Sequence, residues 1–79
     1  MKPLSTLSDL AIGCVVEIQQ DKLSPRLVEM GLCKGSMLKV LFRAPFNGPM
    51  AIDLGNSVLS LRRDEAQLVM VEEVNGQEA

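Results

Sequence analysis

Residues 37–61 carry the most restrictive pattern in the chain. Apolar side chains recur at every second position, and glycine, proline or asparagine ends each run. Leu38, Val40 and Phe42 alternate with Met37, Lys39, Leu41 and Arg43, before a loop containing Pro45, Asn47, Gly48 and Pro49. Met50, Ile52 and Leu54 then alternate with Ala51 and Asp53. Gly55-Asn56 is a two-residue hairpin signal, and residues 58–62 follow as a further strand. A period of two places alternate side chains on one sheet face. The expected buried face is therefore Leu38, Val40, Phe42, Ile52, Leu54, Leu59 and Leu61.

The rest of the chain extends this sheet. Residues 14–19 alternate, with Cys14, Val16 and Ile18 expected on one face and Glu17 and Gln19 on the other. A last strand is expected around 68–72, after a short polar turn at 63–66. Near the start, Leu4, Leu7 and Leu10 stand three apart, which predicts a short helical turn capped by Thr6 or Ser8 and released at Gly13. One more helical turn is expected after Ser24, an N-cap residue, with Pro25 at the first helical position. Leu23, Leu27 and Met30 form its apolar stripe, Gly31 ends it by taking positive φ, and Gly35 precedes the next strand. About five short strands with tight connections and one short inserted helix predict an all-β fold, a small barrel of SH3-like type.

Length and composition agree with one small globular domain. The chain has 79 residues, 47% of them apolar and 23% charged. A core of that size supplies roughly 3–5 kcal/mol of net stability. Residues 1–74 are expected to form the domain, and 75–79, with nothing to bury, a disordered tail. The net charge of −2 argues against a nucleic-acid binder, which is usually strongly basic. The start of the chain has no long apolar segment of the secretory type, and no run approaches the 18 or so apolar residues of a membrane span. A soluble, cytoplasmic protein, not inserted in a membrane, is expected.

Chemistry is sparse. The sequence holds no histidine, which removes the commonest general base and metal ligand. The two cysteines, Cys14 and Cys33, have neither a CxxC spacing nor a histidine partner, and are read as buried small apolar groups. No serine lies in a GxSxG elbow, and no phosphate-cradling glycine motif occurs. Asp64-Glu65 is read as a solvated turn. No catalytic residue, resident metal or cofactor is expected. A proline-peptide groove needs aromatic walls, and the chain has two phenylalanines with no Trp or Tyr. Single-strand binding needs stacked aromatics in a basic channel. Lys39, Arg43 and Arg62 are expected on one outer face with Asp53 among them, a mixed-charge surface.

The ordered pieces Arg26-Leu27, Glu29-Met30-Gly31-Leu32, Gly35, Arg43-Ala44-Pro45 and Leu61-Arg62-Arg63, with "LSDLAIG" before them, resemble the FeoA family of small cytoplasmic proteins in bacterial ferrous iron transport. The resemblance covers about residues 7 to 73; Cys14 and Cys33 depart from its pattern. Similar modules form the C-terminal SH3-like domain of DtxR-type repressors, but this chain has no room for a helix-turn-helix. The resemblance implies an SH3-like barrel with an inserted helical turn. It also implies a partner, the FeoB membrane transporter with its cytoplasmic G-protein domain. The rim of the short helix is then the candidate contact, with Arg26, Glu29 and Met30 as partner-binding residues and Gly13, Gly31 and Gly35 as structural glycines. The other reading is a cytosolic transition-metal sensor or iron chaperone. Oligomeric state and the sign of any effect on transport are not legible.

Overall fold

The computed structural model describes residues 1–74; the expected disordered tail lies outside the described residues. Six strands form one antiparallel sheet: β1 (Lys2–Pro3), β2 (Ile12–Ile18), β3 (Met37–Arg43), β4 (Met50–Asp53), β5 (Val58–Leu61) and β6 (Val69–Val74). Their order across the sheet is β1-β6-β2-β3-β4-β5, and the fold is a small SH3-like one. Two short helices, α1 (Pro25–Glu29) and α2 (Arg63–Ala66), and two 3-10 turns, Leu4–Thr6 and Gln20–Lys22, complete it. β1 was not expected. It is two residues long, too short for any alternation, and pairs with β6 at the sheet edge.

Cross-strand partners share a face, and they define the core. Val40, Ile52 and Leu59 meet across β3, β4 and β5, and Met50 faces Leu61. Val15 faces Val71. Leu4, Leu7, Leu27 and Leu32 close the ends, all fully buried.

Two register shifts correct the expected faces. Between Val40 and Phe42 the pairing of β3 with β4 slips by one residue. A bulge adds an unpaired residue and reverses the side-chain alternation beyond it. Phe42 thus pairs with Ala51 on the outer face and is 57% exposed, instead of joining the core. Arg43 turns the other way, opposite Met50, and leaves the outer face where Lys39 pairs with Asp53. The second slip, between Val15 and Glu17 in the pairing with β6, exchanges the roles of Val15 and Val16. Val15 is buried, whereas Cys14 and Val16 are half-buried. Leu54 is half-buried too, because it begins the hairpin turn, its N–H donating to the Ser57 carbonyl at 2.9 Å.

The first turn also differs from its expectation. Thr6 Oγ1 donates to the Pro3 carbonyl at 2.7 Å, but the chain is redirected at Leu10, which has φ +69° and is exposed. Gly13 lies inside β2 and does not release a helix. A Cβ there would sit 3.1 Å from Leu7 Cδ1, so this glycine lets Leu7 pack flat on the sheet.

Candidate functional site

Helix α1 owes its placement to its ends. Ser24 stands at the N-cap and Pro25 at the first position, where a missing N–H costs nothing. At the other end Gly31 has φ +107°. Its N–H donates to the Val28 carbonyl and the Leu32 N–H to the Leu27 carbonyl, both at 3.0 Å. That pair of bonds is the Schellman arrangement, and the accompanying apolar contact is between buried Leu27 and Leu32. Gly35 also holds positive φ, +94°, in the next turn. With Leu23 and Leu27 anchoring the helix, Arg26 and Glu29 face solvent. Met30, expected in the apolar stripe with Leu23 and Leu27, is instead 44% exposed; Leu32 takes the buried place beyond the glycine. The three candidate partner-binding residues therefore share one exposed rim, and Arg26 Nη2 lies 3.5 Å from the Ser60 carbonyl.

A second feature lies where β3 ends. Residues 45–48 form a tight turn, the Gly48 N–H donating to the Pro45 carbonyl at 3.1 Å, and Ala44 N–H donates to Pro49 O at 2.8 Å. The two central residues, Phe46 and Asn47, both have φ +60°. Two consecutive positive φ values are the requirement of a type I′ turn, which favours Asn-Gly. Here a phenylalanine occupies the first of those places and is 98% exposed. Gly48 cannot carry a side chain, since a Cβ would stand 2.7 Å from Ala44 Cβ.

Arginines surround this turn. Arg43, swung inward by the bulge, donates from Nη1 to the Ser5 carbonyl at 2.5 Å and from Nη2 to the Leu7 carbonyl. It thereby ties the start of the chain to the end of β3. Arg63 Nη1 donates to Asn47 Oδ1 at 2.6 Å. Arg63 opens α2, whose start is fixed by the Arg62 N–H donating to Glu65 Oε1 at 3.0 Å. Between these groups is an open cavity of about 810 Å³, walled by Pro3, Ala44, Pro45 and Met50 with Phe46 at its edge. Phe46, Asn47 and Arg63 were given no part in the expected site. The available signal is an aromatic residue set among turn formers in Pro45-Phe46-Asn47-Gly48-Pro49, outside any alternating apolar run.

Other chemistry is not assembled. Among the described residues no three Cys, Asp or Glu side chains gather as a metal site. Both thiols are free, Cys14 half-buried on the outer face and Cys33 exposed. Cys33 is thus not the packed apolar group expected, because Leu32 fills that position and the next residue must point out; its Sγ lies 3.4 Å from Ser36 Oγ. No helix among the described residues is long and apolar enough to cross a membrane.

An SH3-like barrel with an exposed helical rim and an arginine-lined cavity places the chain in a class, that of the small SH3-like β-domains. The model of the FeoA domain matches residues 2–73, so the chain belongs to the FeoA family, whose members are accessory proteins of ferrous iron transport. Solved structures agree. The crystal structure of an iron uptake regulatory protein (FeoA) is 33% identical with TM-score 0.78, covering 92% of this chain and 96% of that one. The solution structure of FeoA protein from Chlorobium tepidum is 31% identical with TM-score 0.80, covering 94% and 71%. The manganese regulator SloR, at 18% identity and TM-score 0.77, covers 92% of this chain and 34% of its own and shares the fold. No curated protein matches the chain.

Proposed function

We propose that this protein is a cytoplasmic accessory subunit that docks on the cytoplasmic part of a FeoB-type transporter, with its G-protein domain, and modulates ferrous iron uptake. The observation that carries the reading is the family match across residues 2–73. The solved relative described as an iron uptake regulatory protein supports it. So does the helical rim, where Arg26, Glu29 and Met30 are exposed together on a helix whose other side is anchored in the core. An apolar group flanked by opposite charges suits recognition of a complementary protein surface.

The test is association of the purified chain with the transporter's cytoplasmic domain, for the natural protein and for Arg26→Glu with Glu29→Lys. Weakened binding with an unchanged melting temperature supports the rim as the contact. Unchanged binding moves the contact elsewhere, and no binding by the natural protein removes the partner. Titrating the reduced protein with Fe²⁺ and Zn²⁺ in the same series separates this reading from that of a metal sensor.

A further inference from the structure

We propose that the corner formed by Arg43, Phe46 and Arg63 is a second docking surface, and that it takes an acidic peptide segment bearing an apolar anchor. This goes beyond the helical rim and does not depend on which protein that rim contacts. Three observations carry it.

The first is the cost of Phe46. A bulky residue in the left-handed region is a genuine outlier, and this one, at 98% exposure, recovers nothing from burial. Asn or Gly would satisfy the same turn without strain. Strain that the fold does not require points to a use outside the fold. The second is charge. Among the described residues the ion pairs are those of Met1 with Glu72 and of Lys2 with Glu73. Among the described residues no carboxylate forms an ion pair with Arg43, Arg62 or Arg63, and none lines the cavity that Arg43 and Arg63 border. Arg43 spends its donors on backbone carbonyls, yet its charge remains beside the cavity. The third is shape. Pro3, Ala44, Pro45 and Met50 give the cavity an apolar side, Ser5, Thr6, Asn47 and Gln67 a polar one, and both lie next to guanidinium groups that bind carboxylates as paired donors.

The occupant follows from that combination. A nucleic acid or an anionic bilayer needs a broad basic face. Here Asp64 borders the adjoining groove beside Arg62 and Arg63, which confines the positive charge to one corner. A short acidic stretch fits the corner, and an apolar side chain within it fills the seat beside the Phe46 ring.

The experiment is an NMR titration of the isotope-labelled full chain with a short peptide of glutamates flanking a Leu-Leu pair. Parallel titrations use the glutamine and the lysine versions, phosphatidylcholine vesicles containing phosphatidylserine, and a single-stranded oligonucleotide. The expected result is that the acidic peptide alone shifts Ser5, Asn47 and Gln67, and that added salt weakens it. Phe46→Asn, which keeps the turn, and Arg63→Gln should each weaken binding roughly tenfold, the scale of a lost interface anchor. Arg26→Glu should leave it unchanged. Equal binding of the glutamine peptide, no shift with the acidic one, or tighter binding of vesicles or oligonucleotide at these residues overturns the proposal. So does self-association of the chain through the same turn.

Discussion

Phe46 and Gly48 stand in one turn and act on it in opposite directions. Gly48 makes the turn possible, since a Cβ would meet Ala44 Cβ at 2.7 Å and the Pro45 carbonyl at 3.1 Å. Gly48→Ala must therefore open the turn, at about 1–3 kcal/mol, read as a lower urea midpoint. Phe46 does the reverse and burdens it. Phe46→Asn relieves left-handed strain of about 1–2 kcal/mol, so the isolated protein should become more stable, not less. A lower midpoint for that variant would mean that Phe46 packs on something and is not strained. Gly31 tests backbone conformation by itself. Its nearest neighbour to an added Cβ is Leu54 Cδ1 at 3.9 Å, an ordinary contact, while its φ is +107°. Gly31→Val should cost more than about 1 kcal/mol through conformation alone, and an unchanged melt would remove the C-cap role.

At the scale of elements, α1 was legible because its limits are chemical: a proline at the first turn and a glycine past the last. β3 was legible as a strand but not in its faces. Leu41, the residue left over between the Val40 and Phe42 pairings, is apolar like its neighbours, so the alternation reads equally well with or without a bulge. The same holds for Val16 in β2. What decides is tertiary: Arg43 reaches the carbonyls of Ser5 and Leu7 only if β3 reverses its faces. The arginine-lined corner was illegible for a related reason. Its groups come from positions 5, 43, 46 and 63, and pairing, not spacing, brings them together. The bulge yields a paired prediction. Leu59→Ala, at a side chain 2% exposed, should cost about 2–5 kcal/mol. Phe42→Ala should cost under about 1 kcal/mol, as for other outer-face changes. Parallel thermal melts decide it, and comparable losses would falsify the assigned faces.

For the molecule as a whole, membership of a family of ferrous iron transport accessory proteins bears on how the chain acts. A domain that acts on a partner through association changes it only by binding one of the partner's states better than another. Equal affinity for both states shifts nothing, however tight the complex. If the partner is the transporter with its G-protein domain, the natural states to compare are those with GTP and with GDP bound. Regulatory couplings of about 1–3 kcal/mol correspond to roughly 5–150-fold in affinity. The chain should therefore bind the two nucleotide states with affinities at least roughly fivefold apart. The rim supplies the control. Charge reversal at Arg26 and Glu29, both exposed, should leave the melt within about 0.5 kcal/mol of the natural protein while weakening both complexes. Calorimetric titration of the transporter's cytoplasmic domain in each state measures the ratio directly. Indistinguishable affinities would leave the protein a passive tether and would require its influence on uptake to come from recruiting something else, for which the acidic-peptide corner is the surface to test next.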